Sequence, residues 1–438
     1  MIKVLSPFTG SHKRAGISRS GYGRRGGVPH MIGGLVVLIG AAAVGPVVAA
    51  QAGTLVFVEA QKSGQGAVTG LSLPRAVAVS PDGENVYATA REATNSTDGT
   101  IVAFSRNAAT GALTFINTLV HDDVTNPIAM RGGAWDVVVS PDGAFVYTAS
   151  FSGSAVGIFG RSESTGELSF VGSALVSTAM SVAISPDGAY LYAAAANTDD
   201  RDDLHVFSRN SATGALTLVE AHRDGANGVD GLAGARSVTV SADGLDVYVG
   251  SRTDKGVAVF RRNTGTGELT FVEFESVGGM SSAQDVDVGV SPDGDSVYFA
   301  ADVDDAVFAF DRNPATGGIT LVQTYQDGVN GIDGLDDVGS LAITSDSRHL
   351  YVAGYGDQAV AHFKRSTSTG ALTYAGLSQD GVDGIDGLNG AFAVAVSADD
   401  SNLYVAGYAD HAVAVFSVTQ GAPPAAAIIP AITPIILD

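Results

Sequence analysis

The segment Ala76 to Phe115, AVAVSPDGENVYATAREATNSTDGTIVAFSRNAATGALTF, recurs with drift until close to the C-terminus, and no other property of the chain restricts its fold as much. Within it Val77 and Val79 alternate with small residues and run into Ser80-Pro81-Asp82-Gly83. A short strand therefore ends in a tight turn, in which Pro presets φ and Gly accepts a positive one. Val86-Tyr87 opens a second strand, Ile101 to Phe104 forms a third, and the turn Asn107 to Gly111 leads into a fourth at Ala112 to Phe115. One repeat is four antiparallel strands.

The first turn and the tyrosine after it mark seven copies: Ser80 with Tyr87, Ser140 with Tyr147, Ser185 with Tyr192, Ser241 with Tyr248, Ser291 with Tyr298, Thr344 with Tyr351 and Ser397 with Tyr404. Four-stranded sheets repeated radially protect their edges in a ring, so the pattern predicts an all-β fold, a seven-bladed β-propeller of four-stranded blades. The seventh copy stops after its third strand, Ala412 to Phe416, whereas Gly53-Thr-Leu-Val-Phe-Val-Glu59 matches the fourth-strand segment Gly214-Ala-Leu-Thr-Leu-Val-Glu220. The N-terminal strand is thus expected to complete the last blade and close the ring. An open solenoid would instead need capping repeats and would leave no such complementary strand.

Residues 1 to 52 read as an export signal. They carry Lys3, Lys13, Arg14, Arg19, Arg24 and Arg25 without an acid, then the uncharged run Met31 to Ala50 broken by Gly45-Pro46, and then Ala50-Gln51-Ala52 as a cleavage site. The expected location is secreted or periplasmic; an uncleaved N-terminal membrane anchor is the alternative, since about twenty apolar residues can just span a bilayer. The propeller then occupies residues 53 to 418. Residues 419 to 438, rich in Pro, Ala and Ile, form a tail that is expected to be disordered, because its four prolines prevent a regular helix or central strand.

Without the leader, Lys plus Arg falls from 24 to 18 against 46 Asp plus Glu, a net charge of −28. Such a surface repels nucleic-acid phosphates and anionic lipid, and no membrane span is expected in the mature protein. The absence of cysteine excludes disulfides, thiolate metal sites and a Cys nucleophile. The eight histidines form no zinc motif, and no G-x-S-x-G elbow occurs. A monomer is expected.

In a propeller the loops from fourth to next first strand and from second to third strand open on one face, and nearly all length variation falls there. Rigid scaffolds carry function on such loops. Three of them repeat a pattern: Asp224 to Leu232 with Asp224 and Asp230, Asp327 to Leu335 with Asp327 and Asp333, and Asp380 to Leu388 with Asp380 and Asp386. Asp pairs six apart with Gly between can fold around Ca²⁺, which takes carboxylate and backbone oxygens. The other reading is that Asp-Gly and Asn-Gly make consecutive tight turns. Asp199, Asp200, Asp202, Asp203, Asp302, Asp304, Asp305, Asp357 and Asp410 add acid to the same face.

The residues that begin each first strand set the channel mouth: Arg75-Ala76, Trp135-Asp136, Met180-Ser181, Arg236-Ser237, Val286-Asp287, Gly339-Ser340 and Phe392-Ala393. Arg75, Asp136, Arg236 and Asp287 are the charged groups expected near the axis, either neutralising one another or acting on a substrate.

Units with Ser-Pro-Asp-Gly, then Val-Tyr, then Ala-Val-x-x-Phe-x-Arg, then Thr-Gly-x-Leu-Thr resemble the lactonase-type seven-bladed propellers, which include bacterial 6-phosphogluconolactonases and the related YVTN-repeat proteins. The resemblance covers residues 53 to 418. In the enzymes of that family an inner strand begins Pro-Arg-His; here Pro74-Arg75 is present and Ala76 takes the histidine's place. The Asn-Glu that follows the family's Tyr-Val strand is absent, Tyr87 leading to Ala-Thr-Ala-Arg91. Two function classes stay open. One is an exported binding protein whose acidic loop face holds a small molecule, glycan or protein, with Ca²⁺ in the Asp-Gly loops. The other is a hydrolase of a non-phosphorylated lactone, with Arg75 or Arg236 polarising the carbonyl and Asp136, Asp287 or His121 activating water.

Overall fold

The computed structural model of the protein describes residues 52–92, 98–121, 129–196, 203–278 and 285–420. The expected export signal up to residue 51 and the tail beyond residue 420 lie outside the described residues, as do Asp199, Asp200 and Asp202. Twenty-eight strands, numbered in chain order, form seven four-stranded antiparallel sheets. The first strand, β1 (Leu55–Lys62), pairs with the last, β28 (Ala412–Val418), and so completes the seventh blade. The first blade runs β2 (Pro74–Val79), β3 (Asn85–Arg91), β4 (Gly99–Arg106) and β5 (Leu113–Val120), and the other five continuous blades repeat this order. Among the described residues no helix is long and apolar enough to cross a membrane.

Blades pack face to face, which explains the composition of their strands. Second strands such as Phe145–Ser150 are buried along their whole length, because both sheet faces meet a neighbouring blade. Outer strands such as Leu168–Leu175 keep exposed positions. The core is accordingly distributed between blades. Tyr248, Val257 and Val259 of the fourth blade pack on Val286, Val297 and Phe299 of the fifth, and the other junctions are built in the same way.

The turns on the face opposite the variable loops hold a repeated polar clasp. Arg106, Arg161, Arg209, Arg262, Arg312 and Arg365, at the ends of third strands, each donate Nε to the tyrosine hydroxyl of the preceding blade at 2.7–2.9 Å. Each also pairs with the aspartate of that blade's first turn: Asp399, Asp82, Asp142, Asp187, Asp243 and Asp293. The tyrosines donate in return to a glycine carbonyl of the arginine's own blade, as Tyr87 does to Gly166 and Tyr147 to Gly214. Each guanidinium is buried but bonded to an anion, a phenol and a carbonyl, the condition under which a buried charge is tolerated.

The seventh junction departs from this pattern. Val418 occupies the arginine's position at the end of β28, and Tyr351 donates to Gly53 O at 2.7 Å. Beside it His349 Nδ1 and His362 Nε2 meet at 3.0 Å, both rings buried, with His362 stacked on Tyr351. The chain is not continuous here, and Gly53 N to Thr419 O (2.8 Å) and Thr419 N to Thr54 O (2.9 Å) replace the covalent turn. Gly53 has φ 83°, and a Cβ there would run into both imidazoles.

Candidate functional site

First strands lie innermost, so their opening residues meet around the channel. Two rings, Arg75, Trp135, Met180, Arg236, Val286, Gly339 and Phe392, and then the residue following each, line one cavity of about 160 Å³. All four charged residues expected at the mouth are therefore brought together there. They do not neutralise one another. Arg236 pairs with Asp285, and its guanidinium lies over one face of Trp135 at 4.2 Å while that of Arg75 lies over the ring at 3.8 Å. Tyr408 is an electrostatic neighbour of Arg75.

Asp136 and Asp287 link neighbouring blades. Asp136 Oδ2 accepts from Ser181 Oγ (2.8 Å) and Val182 N (2.9 Å), and Oδ1 accepts from Val137 N (2.7 Å). Asp287 Oδ1 accepts from Ser237 Oγ (2.7 Å) and Val288 N (2.9 Å), and Oδ2 accepts from Leu341 N (2.9 Å). Burial pushes the Asp136 carboxyl up to about 6, against those hydrogen bonds and with repulsion from Asp287 adding to the rise. Burial likewise raises Asp287. Both carboxylates tie first strands together around the channel. His121, buried beyond the end of β5, lines neither this cavity nor the next.

An outer cavity of about 260 Å³ adjoins the first and is lined by Arg75, Trp135, Asp285, Asp302, Asp337, Tyr355, Phe392 and Tyr408. Asp302, Tyr355 and Tyr408 each stand four residues beyond a repeat tyrosine, at the point where a second strand leaves its sheet. Asp337 precedes the strand Val338–Ile343 with φ 57°, a conformation unusual outside glycine. Burial raises its carboxyl, and Asp302, Asp336, Asp285 and Asp305 raise it further. Tyr355, Tyr408, Asp337 and the framing of Trp135 by arginines were not identified from sequence. The offset of four from the tyrosine was the signal that could have found the two tyrosines.

The Asp-Gly loops each gather three carboxylates. Asp224 and Asp230 meet Asp254, Asp327 and Asp333 meet Asp357, and Asp380 and Asp386 meet Asp410, with one oxygen from each residue of a triad lying within 4.8 Å of the others. The third member comes from the loop between second and third strands; Asp254 was not identified from sequence, although it stands six residues beyond its repeat tyrosine, as Asp357 and Asp410 do. In each triad two carboxylates hold the loop, as Asp327 Oδ1 does for Leu335 N at 3.1 Å and Asp357 Oδ2 for Asp336 N at 3.0 Å. The third triad contains a cation from the chain itself: Lys62 Nζ lies 2.6 Å from Asp386 and 3.6 Å from Asp410.

The sequence matches the family model described as "Lactonase, 7-bladed beta-propeller" over residues 99–232, 219–333 and 289–383. A search of curated protein sequences found no match. In fold the chain is similar to a putative 6-phosphogluconolactonase from Bacteroides fragilis (22% identity, TM-score 0.57, 70% of this chain and 84% of that one). It is similar also to the periplasmic gluconolactonase PpgL from Pseudomonas aeruginosa (19%, 0.56, 70% and 86%). Hydrazine synthase from Kuenenia stuttgartiensis matches as well (18%, 0.58, 82% and 99%).

Proposed function

Because the chain belongs to the lactonase family of seven-bladed β-propellers, we propose that it is an exported propeller that binds a ligand at the channel mouth on its acidic loop face. One observation carries this reading. The two buried aspartates of the inner ring accept hydrogen bonds at both oxygens from backbone and serine donors, so they are engaged in joining blades and are poorly placed to activate water. The adjoining cavities meanwhile offer open aromatic and charged surface.

Lactone hydrolysis is the second reading. It is favoured by Asp337, a carboxylate with a raised pKa that shares the outer cavity with Arg75. In that role Asp337 would take a proton from water and Arg75 would polarise the carbonyl. A panel of non-phosphorylated lactones separates the two. Turnover above the blank that disappears in Asp337→Asn would overturn the binding reading, whereas saturable binding without turnover supports it.

The loop face also fits divalent cations. Lys62 supplies a positive charge to the triad of Asp380, Asp386 and Asp410, and Asp327, Asp333 and Asp357 gather their carboxylates within the same distance of one another. Three carboxylates with nearby backbone carbonyls suit the oxygen preference of Ca²⁺. Export rests on the acid-free leader and its A-x-A site. N-terminal sequencing of protein from the periplasm or medium tests it, and recovery only from the membrane with Met31 to Ala50 intact would make the protein anchored.

A further inference from the structure

The outer cavity has an aromatic surface beside a carboxylate that no cation of the chain pairs with among the described residues. Tyr355, Phe392 and Tyr408 contact one another at ring separations of 6.1–6.3 Å, with planes crossed by 85°, 57° and 33°. The three rings are inclined to one another rather than stacked flat, and all three line the cavity. Asp337 opens onto the same cavity, and its electrostatic neighbours are the carboxylates of Asp302, Asp336, Asp285 and Asp305.

The adjoining Trp135 is already a cation platform, with the guanidiniums of Arg75 and Arg236 over its ring at 3.8 Å and 4.2 Å. Those two arginines are thereby held: Arg236 is also paired with Asp285, and Arg75 is buried against the ring. No arginine or lysine lies over the rings of Tyr355, Phe392 or Tyr408 among the described residues. Ring faces and a carboxylate in one recess attract a cation that has an apolar surface of its own. An inorganic ion would gain little from the rings, and a neutral polyol would gain nothing from the excess negative charge.

We propose that this cavity binds an organic ammonium ion, seated against Tyr355, Phe392 and Tyr408 with Asp337 as its counter-charge. The inference rests on the reading that the mouth is a binding site, and it names the class of ligand.

Trp135 is the only tryptophan, so its fluorescence reports on the mouth directly. The full chain is titrated with choline chloride, with sodium chloride at equal ionic strength, with 3,3-dimethyl-1-butanol as the neutral isostere, and with δ-gluconolactone. A saturable response to choline that is absent for the isostere and the salt is the expected result. Tyr408→Leu should weaken choline binding by roughly 2- to 30-fold, and Asp337→Asn by roughly fivefold. Asn tolerates the backbone angle at position 337, so this variant remains informative if Tyr408→Leu fails to fold. Equal affinity for choline and its isostere would overturn the ammonium assignment. Saturation by the lactone with silence toward choline would overturn it too, while leaving the mouth as a binding site. Silence toward every probe would overturn both.

Discussion

The junction that closes the ring should be the acid-sensitive one. Six junctions carry an arginine clasp; the seventh has Val418 in the arginine's place and the His349–His362 contact beside Gly53. At the position of His362 the other third strands have Ala103, Ile158, Val206, Val259, Ala309 and Val415. Burial, then the neighbouring His349 and Lys364, lower the His362 pKa from its ordinary 6.5 to about 4. Burial also lowers His349, which faces Asp346, Asp400, Lys364 and Arg348; Tyr351 stacks on His362 and carries no charge at these pH values. One proton can be shared across the nitrogen pair, but two set N–H against N–H. Because the folded value lies below the unfolded one, the contribution of His362 is complete above pH 6.5, declines as pH falls, and is exhausted near pH 4. At about 1.4 kcal/mol for each pH unit, roughly 3 kcal/mol is lost over that window, about 2 of it by pH 5. Asp136, raised to about 6, works in the opposite sense and stabilises as pH falls, so the profile of the parent protein alone is a sum. The measurement is therefore a difference. Urea unfolding of the parent and of His362→Val, the residue other blades use, is followed at pH 7.5 and pH 5. The parent should lose about 2 kcal/mol more than the variant between the two. Equal losses would refute the argument.

Removing residues 53 to 60 takes away most of β1 and exposes the edge of β28, so the truncated propeller should melt at a markedly lower temperature; an unchanged melting curve would contradict closure by this strand. Arg262→Leu leaves the buried Tyr192 hydroxyl without its donor and Asp187 without its ion-pair partner and should cost about 1–3 kcal/mol in chemical unfolding, more than changing the exposed Asp295 of a neighbouring turn. Millimolar Ca²⁺ should raise the melting temperature, by an amount that corresponds to about 2.7 kcal/mol at a hundredfold excess over Kd, and Asp327→Ala with Asp333→Ala should reduce that shift. In the same melt Lys62→Ala should enlarge the response to Ca²⁺ by uncovering the third triad, and a response unchanged by either variant would leave these loops as plain turns.

Blade number, ring closure and the identity of the channel mouth were legible in the sequence because each follows from a local register that the repeat prints seven times. Val77 and Val79, the Ser-Pro-Asp-Gly turn and Tyr87 define where a first strand lies, and any residue at a fixed offset, such as Arg75 or Asp136, then shares a ring with its counterparts. Gly53 to Glu59 reads as an outer strand because it matches Gly214 to Glu220, and pairing with β28 follows. What joins blade to blade was not legible. That Arg161 reaches Tyr87 and Asp82, that Trp135 lies against Arg75 and Arg236, and that Asp254 completes the triad of Asp224 and Asp230 all depend on how far one sheet is rotated against the next. The period of a strand specifies which face a side chain takes, and only the curvature of the closed ring decides which residue of the neighbouring blade that face meets.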